Sequence, residues 1–303
     1  MIQIEGLNKT YHTGFLMRPK KALTDIHLQV PQGIIYGFIG PNGAGKSTTI
    51  KVLTGLLNFD SGKIQVAGFS PRSVKSRTRL GYCPEQPYFY DYLTGRELMS
   101  FYGRLAGLQG KELEKRTEWA LNLVHANKDW IDRRLRTYSK GMMQRVGLAQ
   151  SILSKPDLLI LDEPMSGLDP MGRRDVREAI LSLNKDGVTV FYSSHLLSDV
   201  ESISDRVAMI VDGRIVREGS IDEITSSCSV QYHIRTGESS SNLSLPSGVK
   251  PSSQSGEWIC DNAAARDVFI QSCLNAGISI EKIDHQRPSL EDILTEEIAR
   301  AES

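Results

Sequence analysis

Short apolar runs and longer amphipathic stretches alternate from Met1 to about Ser220. The runs at 34–39, Leu158–Leu161, 189–193 and 207–211 are near-continuous, as strands buried on both faces must be. Strands separated by helical patterns predict an α/β fold, a parallel sheet covered by helices. Between 93 and 153 the strand signal fades, and 96–108, 111–126 and 142–153 carry apolar residues at helical spacing. That stretch is expected to be a helical insert.

After Ser220 the composition changes. Residues 239–255 are rich in Ser and hold Pro246, Gly248 and Pro251, which reads as a long loop or disordered excursion. Around it, strands are expected at 230–235, 258–260 and 278–283, a helix at 263–276, and a last helix. Pro288, with Ser289 and Asp292 at capping-box spacing, marks the start of that last helix. The pattern therefore divides into a large α/β domain, 1–220, and a small accessory α/β domain, 221–303.

Charge and cysteine usage narrow the class. Lys plus Arg number 36 and Asp plus Glu number 36, so no net field draws the chain to nucleic acid or anionic lipid. No apolar run approaches the roughly 20 residues a bilayer requires. Met1 to Glu5 opens into a strand-like pattern with no signal-peptide core, so a cytoplasmic protein without its own membrane span is expected. Cys83, Cys228, Cys260 and Cys273 form no C-x-x-C pair, which argues against a zinc site or a disulfide framework.

Candidate chemistry is concentrated in two places. Gly40-Pro41-Asn42-Gly43-Ala44-Gly45-Lys46-Ser47, followed by Thr48, fits the G-x-x-x-x-G-K-[ST] phosphate loop and lies between a predicted strand and a predicted helix. Glycines let successive backbone N–H groups face phosphate oxygens, the helix start adds positive potential, Lys46 reaches the β- and γ-phosphates, and Ser47 offers its hydroxyl to Mg²⁺. The plainer reading is a Gly-rich turn, which the flanking strand and helix disfavour. Leu158–Leu161 delivers Asp162 and Glu163 at its C-terminal end, where open α/β sheets place ligands. Asp162 would hold Mg²⁺ and Glu163 would polarise the attacking water; without the phosphate loop, solvated acids after a strand would serve equally well.

Tyr138-Ser139-Lys140-Gly141-Met142-Met143-Gln144-Arg145, just ahead of that strand, resembles the signature motif of ABC ATPases. Ser139 reads as an N-cap and Gly141 leaves amides uncovered, so this helix start suits an anion. Lys140 and Met142 depart from the commonest form. The resemblance implies the P-loop NTPase fold of the ABC ATPase type with a helical subdomain. It further implies ATP and Mg²⁺ as ligands, and a homodimer in which Ser139 and Gly141 cover the nucleotide of the opposing subunit. By the same resemblance Gln86 contacts Mg²⁺ and the nucleophilic water, Asp169 in Ser166-Gly167-Leu168-Asp169 touches the partner subunit, and His195 reaches the γ-phosphate. Tyr11 is the candidate to stack on adenine, although 13–21 lengthens the loop beyond it.

Aromatic residues crowd the stretch after Gln86, among them Tyr88, Phe89, Tyr90 and Tyr92. They read either as core packing of the insert or as a socket for a helix of an integral membrane permease. Arg287-Pro288-Ser289-Leu290-Glu291-Asp292-Ile293 looks like the tail of ABC-2-type exporter ATPases, and 221–303 is short beside the regulatory domain of sugar importers. The expectation is an exporter ATPase, cytoplasmic and peripheral on the inner membrane face through its permease. Alternatives are the ATPase subunit of a copper-site maturation ABC system, a non-transport ABC protein acting on ribosomes or DNA, and a regulatory module without turnover.

Overall fold

In this computed structural model all residues are described except 14–17, 127, 227–230, 238–244, 253–255, 287–288 and 303. The chain divides into two compact units, Met1–Glu218 and Gly219–Ser303. The first runs β1 (Ile2–Thr13), β2 (Arg18–Val30), β3 (Ile35–Ile39), α1 (Lys46–Leu53), β4 (Ser61–Val66), α2 (Val74–Arg77), β5 (Leu80–Cys83), α3 (Gly95–Leu105), α4 (Gly110–Leu123), α5 (Lys128–Ile131), α6 (Lys140–Ser151), β6 (Leu158–Leu161), α7 (Pro170–Lys185), β7 (Thr189–Ser194), α8 (Leu197–Ile203), β8 (Arg206–Val211) and β9 (Arg214–Gly219).

Every residue of β3, β6 and β7 is buried, which explains their unbroken apolar runs. They lie in a six-stranded sheet of order β5-β6-β7-β3-β8-β9, with β5 to β8 paired in parallel through β3. Asp212 and Gly213, both at positive φ, form the two-residue turn that folds β9 back along β8. A second, antiparallel sheet has the order β2-β1-β4. Its alternation is broken by Gly6, at φ 64, where the register slips between Ile4 and Leu7, and by Asp25, at φ 52, opposite the slip between Leu7 and Lys9. Ile2, Leu7 and Ile26 of this sheet share one core with Ile50 of α1 and with Tyr36, Phe38 and Phe191, whose rings pack at 5.8 and 5.4 Å.

Among the described residues, 95–151 hold α3, α4, α5 and α6 with a 3-10 turn at Leu135–Thr137, and α3, α4 and α6 pack on one another. Thr94 and Glu97 close a capping box at the start of α3. The buried Arg116 guanidinium donates to Leu153 O at 3.0 Å and Ile152 O at 2.8 Å, satisfying carbonyls at the end of α6, and lies 4.1 Å from the Trp119 ring. Tyr138 donates its hydroxyl to Ile131 O at 3.0 Å and packs edge-on against Trp130, which fixes the chain entering α6.

Burial pushes the Tyr138 phenol up to about 12, with the Asp132 charge adding to the rise against the opposing Gly95 backbone bond; burial does the same to Tyr82. A raised folded value means the neutral phenol is favoured by the fold. Its contribution is full below the ordinary value of 10.0 and is lost as pH rises towards about 12. Urea midpoints should therefore fall across that window, and Tyr138→Phe should show a shallower fall than the parent. An identical slope in the two proteins would remove Tyr138 from the alkaline transition.

The second unit comprises α9 (Ile221–Ser226), β10 (Gln231–Thr236), β11 (Val249–Pro251), β12 (Glu257–Cys260), α10 (Ala263–Asn275), β13 (Ile280–Gln286) and α11 (Leu290–Glu302). Its antiparallel sheet, β11-β12-β10-β13, buries Ile234, Val249 and Cys260 against Phe269 and Cys273 of α10. The Ser-rich stretch is only partly a loop, because Val249, Lys250 and Pro251 pair with Cys260, Ile259 and Trp258. Pro251 is tolerated there because β11 is an edge strand. Ser289 and Asp292 cap α11 reciprocally, at 2.9 and 3.2 Å, while the expected Pro288 signal and Cys228 lie outside the described residues. Cys83, Cys260 and Cys273 are free and buried.

Candidate functional site

The phosphate loop turns where β3 leaves the sheet. Gly43 and Gly45, at φ 83 and 112, adopt conformations that side-chain-bearing residues rarely take. Gly45 caps α1, whose first turn carries no acidic residue, so the positive helix end is left for an anion. Ala44 donates its amide to Pro41 O at 3.2 Å and accepts from Gly213 at 2.9 Å, which pins the loop to the β8–β9 turn. Gly40 must be glycine because a Cβ there would collide with Ile210 O of β8.

Lys46 is 6% exposed and folds back over the loop, donating from Nζ to Gly40 O at 2.6 Å and Pro41 O at 3.2 Å. Its ammonium stands 3.4 Å from Glu163 Oε1. The other carboxylate oxygen, Oε2, is 2.7 Å from His195 Nδ1 and accepts from the His195 amide at 3.3 Å. Glu163 is thus suspended between a cation and an imidazole, on a backbone at φ 50. That left-handed conformation for a buried non-glycine residue is strain held by its neighbours. Asp162 is fixed from three sides: its amide donates to Cys83 O at 2.9 Å, and its Oδ1 accepts from Ser193 at 2.7 Å and from Ser47 at 3.3 Å. Its charge, after burial, helps push the Cys83 thiol up to about 12.

Lys46, Glu163 and His195 border an open cavity of about 470 Å³, with Asp162 held just behind it by its bond to Ser47. Pro41, Asn42, Gly43, Gly45, Lys46, Ser47 and Thr48 line it together with Glu163, His195 and Tyr11, whose hydroxyl lies 3.5 Å from Thr48 Oγ1. The segment expected as a loop beyond Tyr11 is instead strand on both sides of 14–17, because β1 and β2 continue pairing outward from Tyr11 and Lys20. Another cavity, about 440 Å³ beside Trp119 and Pro156, holds none of the predicted chemistry.

Gln86 is exposed and does not border the cavity; its neighbour Glu85 does. Ser139, Gly141 and Asp169 lie off the cavity within this chain. Ser139 caps α6 by accepting from Met142 at 3.2 Å, and Asp169 caps α7 by accepting from Gly172 at 2.9 Å. A Cβ on Gly141 would lie 3.6 Å from Leu168, so the two caps sit close together.

Sequence reasoning missed Ser193, which holds Asp162 and also accepts from the Glu163 amide at 3.0 Å. A polar residue ending an otherwise apolar parallel strand, at the edge where ligands bind, was the available signal. It also missed Lys20 and Lys21, which border the cavity from β2. Two adjacent lysines on a hairpin look like ordinary solvated charge until the hairpin is folded.

A family model described as ABC transporter matches residues 23–166. An uncharacterized ABC transporter ATP-binding protein of Synechocystis is 42% identical over 226 residues, 74% of this chain and 64% of that one. The daunorubicin resistance ATP-binding protein of Streptomyces coeruleorubidus is 31% identical over 303 residues, covering 96% of this chain and 94% of its own. A solved ATP-binding subunit of an ABC transporter superposes with a TM-score of 0.67 at 29% identity, over 75% of this chain and 92% of that one. With its phosphate loop, paired carboxylates and signature helix on this sheet, the chain belongs to the ABC transporter ATP-binding proteins, ATP-hydrolysing P-loop NTPases.

Proposed function

We propose that this chain is the motor subunit of an ABC-2-type exporter: it closes as a homodimer around two MgATP and drives a separate integral membrane permease. The observation that supports turnover is the buried Glu163 carboxylate, 3.4 Å from Lys46 and 2.7 Å from His195 at the edge of a phosphate-binding loop.

The triphosphate would lie along the amides of the loop, with Lys46 turning from its carbonyl contacts to the β- and γ-phosphates, and Tyr11 against adenine. Ser47 and Asp162, 3.3 Å apart, are oxygen donors of the kind Mg²⁺ takes, and Gln86, which lies off the cavity here, would have to swing in to join them. A Mg²⁺ ion held by these oxygens would supply charge neutralisation for the triphosphate. Glu163 accepts a proton from the attacking water. As that water's oxygen bonds to the γ-phosphorus, the bond to the β–γ bridging oxygen breaks, giving ADP and phosphate. His195 holds Glu163 in place and reaches the γ-phosphate. The Ser139–Gly141 helix start has no acid in its first turn, so its positive end is suited to the γ-phosphate bound by the other subunit, with Asp169 nearby at the joint.

Export is supported by the daunorubicin resistance relative, whose similarity runs through both units of this chain. The copper-site maturation alternative shares these motifs, whereas a module without turnover has no use for the Lys46–Glu163–His195 arrangement. No helix among the described residues is long and apolar enough to cross a membrane, which fits a subunit held at the cytoplasmic face by its permease.

Tyr88, Tyr90 and Tyr92 are 97, 55 and 61% exposed, and Tyr90 packs on Tyr92 and Phe101. Exposed rings of this kind, two of them braced against each other, suit a helix-in-groove contact with the permease. Alanine at all three is expected to weaken co-purification with the permease more than about tenfold, since truncating an aromatic anchor commonly costs over 1 kcal/mol. ATP affinity of the isolated subunit should stay within about twofold by nucleotide titration. Loss of ATP binding with permease binding intact would reject the socket.

A further inference from the structure

Helix α8 begins two residues after His195, and α7 begins directly after the loop that runs from Glu163 to Asp169. An ion pair joins these helices: Arg177 of α7 donates from NH2 to Asp199 Oδ1 of α8 at 3.0 Å. Asp199 is 4% exposed. A guanidinium normally meets a carboxylate with two parallel bonds. Here the second donor, Arg177 Nε, and the second acceptor, Asp199 Oδ2, are both buried and both without a hydrogen-bond partner. Two buried polar atoms on the same pair, one donor and one acceptor, are complementary to each other. A small rotation of the guanidinium, or a slight slide of α8 along α7, would satisfy both at once.

Helix α8 is otherwise well seated. Gly37 of β3 leaves room for it, since a Cβ there would stand 2.8 Å from Val200. Its N-cap residue, Leu196, accepts from the Val200 amide at 3.4 Å and donates its own amide to Ser194 Oγ at 2.9 Å, so the helix start and the end of β7 are linked on either side of His195. His195 lies in the short link between β7 and α8, so where α8 sits bears on where the imidazole meets Glu163, 2.7 Å away.

We infer that Arg177 and Asp199 are positioning residues for ATP hydrolysis: the pair closes from one bond to two as α8 brings His195 to its place in the reaction. Neither residue touches the nucleotide; they act through His195, so the inference rests on the role given to that residue.

Arg177→Lys keeps the charge and one donor but removes the fork. In the full chain it is expected to lower kcat about tenfold or more, because small misplacements of a catalytic group are costly. The KM for ATP and the melting temperature should stay close to the parent. Asp199→Asn, which keeps the side-chain shape, should show the same split. Combined with His195→Ala, Arg177→Lys should slow turnover no further, since both changes act on one group. A parental kcat in Arg177→Lys beside a slow His195→Ala overturns this inference alone. So does a kcat loss that tracks a fall in melting temperature, or a double variant slower than His195→Ala by the full Arg177→Lys factor. If His195→Ala itself turns over at the parental rate, the role of His195 falls and this inference with it.

Discussion

Glu163→Gln is expected to slow ATP turnover by about a hundredfold or more while leaving MgATP bound, because the amide cannot accept the proton of the attacking water. The substitution is nearly isosteric, and Gln tolerates the φ of 50 at this position as Glu does, so the fold should stand. Its amide oxygen can still accept from the His195 ring and backbone, which contact Oε2 at 2.7 and 3.3 Å. Lys46, 3.4 Å from Oε1, loses its carboxylate and is freed towards phosphate, so MgATP affinity should hold or rise. With cleavage blocked, the closed homodimer should persist, and light scattering with and without MgATP measures it. Turnover like the parent's would place the water-activating group elsewhere. A turnover-dead variant that stays strictly monomeric with MgATP would keep the catalytic assignment and remove the homodimer.

The parts of the molecule legible in the sequence are those where one physical demand acts alone. A parallel strand buried on both faces must be apolar throughout, so β3, β6, β7 and β8 announce themselves. A phosphate loop needs its glycines, lysine and hydroxyl at fixed spacing, and Lys46, Ser47, Asp162, Glu163 and His195 do meet around one cavity or its supporting bonds. The antiparallel β1 and β2 were less visible because Gly6 and Asp25 interrupt the alternation of Ile2, Ile4 and Leu7 with Ile26, Leu28 and Val30. The short β11 was hidden in a Ser- and Pro-rich stretch, since only pairing with β12 makes it a strand. Contacts between distant segments were invisible for the same reason. Ser193 reads as a strand residue, Lys20 and Lys21 as surface charge, and nothing in the spacing links Arg177 to Asp199. Gln86 shows the converse: its motif is intact, yet the side chain lies away from the cavity, with Glu85 turned to it.

Lys46→Ala should have the largest effect on binding, and it separates two roles of one ammonium. In the first, Lys46 meets phosphate: a lost charge-assisted bond is worth about 1.5–3 kcal/mol, so MgATP affinity should fall about tenfold to a hundredfold or more. In the second, Lys46 balances Glu163, whose side chain is 9% exposed. Removing one partner of a buried pair leaves a charge uncompensated at a cost approaching 3–5 kcal/mol in a sealed interior, and less here, where the carboxylate borders an open cavity. His195 offsets part of that cost, because its ring N–H, 2.7 Å away, still hydrogen-bonds the carboxylate. The two roles part in the double variant. Lys46→Ala combined with Glu163→Gln should regain most of the lost melting temperature, since no buried charge remains, yet MgATP affinity should stay as low as in Lys46→Ala alone. Thermal unfolding of the four proteins completes the cycle, and fluorescent-nucleotide titration gives the affinities. Equal melting temperatures in Lys46→Ala and the double variant would show that the 3.4 Å contact carries no stability, leaving Lys46 a phosphate ligand only.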